Sequence, residues 1–341
     1  MPRPLTDIVA ALERLAPPGL ADDWDNVGLL VDGPPRRPVR RCLLTVDLTE
    51  AVLDEAIERG SGLIVSYHPP IFAPLKRLRA AVVKERLILR AIQARIAIHS
   101  PHTALDAAPG GVNDWLADGL GPLAGRRSLA GAERSHGTFG LEARLPRAAG
   151  EALAAELRAL GLEPAVEDLP AAVLVRVAFD GDGPRRVIGA LPPELRARCE
   201  LVRRAPALSV HSGQGREVLL RRPARLETLV RRIKQHLGLP AVRVATHPRH
   251  RDGTPIERVL VCAGAGGSVL APHPADLYWT GEMRHHDVLA ALERGTSVVL
   301  CEHTNTERGY LPVLRERLDE ALDGDVFFDI SRSDAEPLQY R

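Results

Sequence analysis

Several features that would give a chain an immediate identity are missing here. There is no excess of either charge: 45 Lys and Arg stand against 44 Asp and Glu, a formal net charge of +1. That balance excludes a general nucleic-acid or polyanion binder, so any partner must be met by a local site. No window reaches the eighteen or so consecutive apolar residues of a membrane helix. The opening Met-Pro-Arg-Pro-Leu-Thr-Asp has no hydrophobic signal core. A cytoplasmic protein without a membrane partner is the expectation. Cysteine is sparse as well. Cys42, Cys199, Cys262 and Cys301 are scattered singly, three of them in or at the end of apolar strand-like runs. This excludes a disulfide framework and a thiolate zinc site, and predicts reduced, buried thiols.

What is present is a repeated unit. At 341 residues the chain is long for one core and fits two domains, or one domain with an insertion. The stretch "RCLLTVDLTEAVLDEAIERGSGLIVSYH" reads as a strand, a helix with apolar positions at Val52, Leu53, Ala56 and Ile57, and a second strand. Two such strands should be parallel, with the helix as a right-handed crossover. "AAVVKERLILRAIQARIAIHSPH" repeats the pattern as a helix followed by the strand Ile96-Ala97-Ile98. "IERVLVCAGAGGSVL", "ADLYWTGEMRHHDVLAALERGTSVVLCEH" and "RGYLPVLRERLDEAL" resume it near the other end. The fold class is therefore α/β, with a parallel-strand βαβ core formed by both chain ends.

The middle follows another pattern. A strand over Thr138-Arg144, a helix over Ala148-Leu160, a strand over Ala172-Phe179, a helical stretch around Pro184-Cys199 and a strand near Leu201 approximate a βαβ-βαβ order. This predicts a small ferredoxin-like α+β insertion. The expected segments are 1–135 for the first half of the core, 136–212 for the insertion and 213–341 for the second half. "LETLVRRIKQHLGLPAVRVAT" then returns helix and strand, with Gly238 and Pro240 closing the helix.

The polar residues of interest come just after core strands. Ile64-Val65-Ser66 leads into Tyr67 and His68; the strand at 96–98 leads into His102 and Asp106. Leu277-Tyr278-Trp279 leads into Glu282 and His286, and Val298-Val299-Leu300 leads into His303 and Glu307. In an open α/β sheet the carboxyl ends of the strands share one edge, where ligands bind. Within "CEHTNTERGY" His303 and Glu307 share a face if the chain turns helical, as a pair of ligands or as a capped helix start. Four stretches delivering imidazoles and carboxylates to one edge favour a bound ion. Nitrogen and oxygen donors without thiolate suit zinc, manganese, iron(II), cobalt or nickel. His99, His136, His211 and His273 read as ordinary hydrogen-bonded or surface histidines. The Gly-rich "CAGAGGS" lacks the Lys of a phosphate loop and reads as a tight strand-to-helix turn.

"WDNVGLLV", "SYHPPIF", "SPHTALDAAPGGVNDWLA", "CAGAGGS", "TGEMRHHD" and "EHTNTERGYLPVL" together resemble the NIF3-like family, also described as GTP cyclohydrolase 1 type 2 homologues or dinuclear-metal-centre proteins. The resemblance covers about residues 1–125 and 215–341, and "SYHPPIF" is closer to its eukaryotic branch. It implies a toroidal homohexamer with divalent ions inside the ring, one or two per subunit. His68, Asp106, His303 and Glu307 match the family's metal ligands, with Glu307 where both ions are touched. Glu282 and His286 match its acid and histidine near the metals, as catalytic proton-transfer groups, and His102 supports Asp106. Tyr67 stands where the bacterial form has another histidine, which removes one donor from one ion. The activity implied is metal-dependent hydrolysis of a small-molecule or nucleotide substrate. The alternative is a metal-stabilised scaffold or regulatory protein that binds a protein partner.

Overall fold

The structure, a computed structural model, describes residues 2–33, 38–134, 139–162, 164–179, 183–203 and 207–338. Thr138 and His136 lie outside them. The chain forms two compact units, one of Met1–Ala132 with Val210–Arg341, the other of Glu133–Ser209.

The larger unit carries two large sheets, the first mainly parallel and the second mixed, besides the short antiparallel pair Arg3–Pro4 and Pro38–Val39. In the first the order is Phe327–Ile330, Arg41–Thr45, Leu63–Ser66, Ala97–Ser100 and Gly28–Val31. All neighbours in it are parallel except the last pair. The second runs Arg243–Ala245, Ser297–Leu300, Leu277–Thr280, Ile256–Cys262, Ala207–Ala224 and Leu123–Arg134, with its three central strands parallel. Strands buried on both faces should read as unbroken apolar runs, and Leu63–Ser66, Leu277–Thr280 and Ser297–Leu300 are buried at every position.

The strand period of two decides which helices each face receives. Leu43, Ile64 and Ile98 turn to helices Glu50–Glu58 and Val83–Gln93, meeting Val52, Leu53, Leu87 and Ile88. Their neighbours Cys42, Leu44, Leu63 and Val65 turn to the opposite side. There they share one core with Val259, Val261, Trp279 and Val299 of the second sheet and with helices Leu5–Leu15, Val112–Asp118, Leu226–Leu237 and Leu311–Ala321. The βαβ reading of residues 41–66 thus holds, except at Ile57. That side chain is exposed, and Glu55 is buried in its helix instead. Ser331 Oγ and the Arg332 and Ser333 amides donate to the Glu55 carboxylate, a partner set that no helical periodicity reveals.

In the smaller unit the strand order is Glu200–Arg203, Phe139–Leu145, Ala172–Phe179 and Ala165–Leu169, antiparallel throughout. Helix Arg147–Ala159 lays Leu153, Ala154 and Leu157 on Leu141, Ala143, Val173 and Val175. This is the ferredoxin-like order expected of the insertion. The sequence reading lacks one element, Ala165–Leu169, because no position of that edge strand is buried and it offers no apolar alternation.

Cys42, Cys262 and Cys301 are buried and Cys199 half-buried, all four unpaired. Among the described residues no helix is long and apolar enough to cross a membrane.

Candidate metal centre

The two sheets of the larger unit send their strand ends to a common place. His68 follows Leu63–Ser66, and its backbone is fixed by a hydrogen bond from its amide to Val46 O. Its ring is oriented by Asp47, whose Oδ1 lies 2.9 Å from Nδ1. That contact leaves Nε2 to face Glu307 Oε2 at 3.4 Å.

His303 and Glu307 come from the turn after Ser297–Leu300. The chain there does not form an α-helix at once. Two short 3-10 turns, Thr304–Thr306 and Arg308–Tyr310, precede helix Leu311–Ala321. The four-residue spacing still brings the pair together, with His303 Nε2 3.3 Å from Glu307 Oε1. Thr306 Oγ1 locks the turn by donating to His303 O and accepting from Gly264 N. At Gly264, with φ of 59°, a Cβ would lie 2.8 Å from Glu307 Oε1 and 2.9 Å from His303 Nε2, so only glycine leaves the ligand atoms their room. The Gly-rich turn is thus a wall of the site. Its Ala263, Gly264 and Gly266 amides are taken by Asn113 Oδ1, Thr306 Oγ1 and Thr280 Oγ1, which leaves them unavailable to a phosphate.

The far side of the segment is tied down as well. Thr304 Oγ1 donates to Glu336, and Asp334 receives both Arg308 and the amide of Val46. The turns that carry His68 and Glu307 are therefore laced together by residues 334–336.

His68, His303 and Glu307 offer ligand atoms all within 4.8 Å of one another. Glu307 is 3% exposed, and its Oε2 makes no hydrogen bond, the 3.4 Å approach of His68 lacking the geometry of one. A buried carboxylate oxygen without a partner is costly. Two imidazole nitrogens and a carboxylate are the donor set of a borderline divalent ion, so the residues fit such a group. Their electrostatics agree. Burial opposes a charged His68, yet Asp47 and Glu307 hold its pKa up to about 10. The hydrogen bond to Glu307 raises His303 to about 9 against burial. Glu307, despite burial, is lowered by the two histidines. Positive charge is wanted between these three side chains.

Asp106 stands beside this group and is not one of the three. It lies on the short helix His102–Ala107, and Tyr67 Oη donates to its Oδ1. Burial pushes its pKa up to about 7 although the Tyr67 hydrogen bond works the other way. The buried tyrosine thus uses its hydroxyl on the carboxylate. His102 packs edge-on against both Tyr67 and His68, with ring centroids 5.6 and 5.4 Å apart. Its Nδ1 is 2.8 Å from Asp25 Oδ1, and Thr103 donates its amide and hydroxyl to Asp25 Oδ2. A carboxylate behind an imidazole fixes ring orientation and tautomer.

Glu282 reaches the cluster, its Oε2 3.5 Å from His303 Nδ1. It also lines a cleft of about 540 Å³ with Gly267, Ser268, Arg284 and Asp287. His286 is exposed on helix His285–Glu293, edge-on to His285, and lies outside the three-donor group. His99 is a buried strand residue whose two ring nitrogens lack hydrogen bonds, and burial lowers its pKa to about 4. Sequence reasoning missed Asp47, Asp25 and Gly264. Asp47 and Gly264 each follow a strand by two residues as His68 does, and Asp25 lies within "WDNVGLLV", but nothing in those positions alone gave them a role.

The sequence pattern of the family described as Duf34/NIF3 (NGG1p interacting factor 3) matches residues 4–337. NIF3-like protein 1 of Rattus norvegicus is 40% identical over 346 residues, spanning 98% of this chain and 92% of that protein. NGG1-interacting factor 3 of Saccharomyces cerevisiae is 31% identical over 347 residues, with 98% and 96% covered. The crystal structure of a Bacillus cereus protein related to NIF3 superimposes with a TM-score of 0.77 at 25% identity, covering both chains fully. The pattern runs through nearly the whole chain and includes every turn that builds the cluster, so the chain belongs to the Duf34/NIF3 family.

Proposed function

We propose that this protein holds a divalent cation between His68, His303 and Glu307 and uses it for hydrolysis. The observation that carries the reading is the buried Glu307 carboxylate, faced by two imidazoles and left with an unbonded oxygen. Asp106 is the further donor toward a second ion, with Tyr67 controlling its availability through the hydroxyl hydrogen bond. A divalent ion in such a place acidifies water and stabilises negative charge developing on a C=N, amide or phosphoryl centre. The protein's own residues do the rest. Asp47 fixes the ring of His68. Glu282, half-exposed at the cleft beside His303, is placed to carry a proton between the site and solvent. A homohexamer enclosing the sites is part of this proposal.

A second reading, a metal-stabilised scaffold for a protein partner, is favoured by the name of the yeast relative, NGG1-interacting factor 3. One experiment separates the two. Protein purified without added ions is analysed for metal, then offered a panel of nucleotides, cyclic amidines and phosphoesters before and after chelation. Turnover that disappears with the ion and returns on reloading supports the hydrolase. Bound metal with no turnover across the panel supports the scaffold. No metal at any loading overturns both.

A further inference from the structure

The three residues Trp24-Asp25-Asn26 do three different things. Asp25 is buried and holds His102 from behind. Asn26 Nδ2 donates to Ile71 O, which fixes the backbone immediately before Phe72. Trp24, by contrast, is 60% exposed, and Phe72 is 52% exposed. The two rings lie 5.9 Å apart at 51°, and Trp24 meets His102 edge-on at 6.0 Å. His102 in turn meets His68, a member of the three-donor group. A line of rings therefore runs from the surface to the proposed ion, with its outer two members left bare on loops that polar contacts hold in place.

Exposed aromatic rings forgo the burial that normally pays their way in a fold, and two of them anchored beside a polar site mark a binding surface. Of the three tryptophans, Trp279 is fully buried and Trp115 packs against His236, so Trp24 stands apart. We infer that Trp24 and Phe72 form a subsite for a flat aromatic or heteroaromatic ring of the substrate, which they present toward His68. Flat rings are the fitting occupant because stacking and edge contacts to Trp and Phe recognise a π-face without requiring hydrogen bonds. The exposed apolar residues farther along, Leu75, Leu78, Val82 and Val83, have no such tie to His102 and are not part of the subsite. The inference deepens the hydrolase reading by naming a substrate class, and it rests on that reading for the chemistry but not for the binding.

The test uses adenosine and benzimidazole as flat probes and cyclohexanol as a saturated control, with ligand-observed NMR titrations on the full chain. Metal content and light-scattering mass are measured on the same preparations. The expected result is tighter binding of both flat probes than of cyclohexanol. Trp24→Ala and Phe72→Ala should each weaken them by about tenfold, the usual scale for loss of one stacking ring, whereas Trp24→Phe should keep most of the affinity. Mass and metal content should not change. Flat probes that bind no better than cyclohexanol, or alanine variants with unaltered affinity, would overturn the subsite. So would a fall in mass on Trp24→Ala together with no probe binding by the parent, because a second copy of the chain would then cover the rings. Probe binding by a chain that takes up no metal would keep the subsite and sink the metal reading. Metal without probe binding would do the reverse.

Discussion

Asp114 and Glu307 are both buried acids of the larger unit, 6% and 3% exposed, yet they are completed in different ways. Asp114 is satisfied by the protein alone. Arg216 Nε lies at 2.5 Å and Arg126 Nε at 3.1 Å from Oδ1, and the Gly110 amide donates to Oδ2. Arg216, itself 1% exposed, spends its remaining donors on carbonyls of Ala107, Ala108, Gly213 and Gly215. Glu307 has only two imidazoles at 3.3–3.4 Å and an oxygen without a hydrogen bond. A closed network of this kind is structural, whereas the open one beside the histidines is what supports the proposed cation. Asp114 also serves the site indirectly, since Arg216 grips the end of the helix that carries Asp106.

The comparison can be broken in three places. The largest effect on stability should come from Asp114→Ala, which strands a buried guanidinium and is expected to cost about 3–5 kcal/mol. A shifted urea midpoint reads this, and an unchanged one would show that the ion pair is idle. Glu55 is an intermediate case. Burial opposes its charge, but hydrogen bonds from Ser331, Arg332 and Ser333 bring its pKa down to about 2, from an ordinary value of 4.5. A lowered folded pKa gives stability that is present above the unfolded value and lost as pH falls through the folded one. The parent protein should therefore weaken between about pH 4.5 and pH 2, and Glu55→Gln should lose part of that acid dependence while being less stable at neutral pH. Identical acid profiles for the two would remove Glu55 as a contributor. Glu307→Gln should do least to stability and most to composition. With both proteins chelated, the melting midpoints should lie close together, whereas the ion content after gel filtration should drop in the variant. Full ion content in Glu307→Gln would mean that Glu307 is not a ligand.

Much of this site is legible in the sequence because it is built at strand ends. Apolar runs announce buried parallel strands, and the imidazoles and carboxylates in the turns that follow them collect at the sheet edge. That argument reaches Tyr67 and His68, His102 and Asp106, Glu282 and His286, and His303 and Glu307 as clusters. The choice of His68, Asp106, His303 and Glu307 among them is what the family resemblance implies, and the structure gathers three of those four while setting Asp106 beside them under Tyr67. It fails for roles that depend on distant segments meeting. Asp25 matters only because His102 lies against it, and Gly264 only because Ser297–Leu300, two strands along in the sheet, delivers His303 and Glu307 to its open side. The hydrogen-bond partners that bury Glu55 are 276 to 278 positions away, beyond the reach of any local pattern.

The lacing by residues 334–336 has a consequence for how the protein is made. His68 and Asp106 emerge from the ribosome early, and the first sheet can begin to assemble around them. His303 and Glu307 arrive some two hundred residues later, and Asp334 and Glu336, which clamp Val46 to Arg308 and hold Thr304, later still. A nascent chain passes most of its synthesis with only His68 of the three-donor group made. The cation site proposed above is therefore complete only after residue 307 has been made.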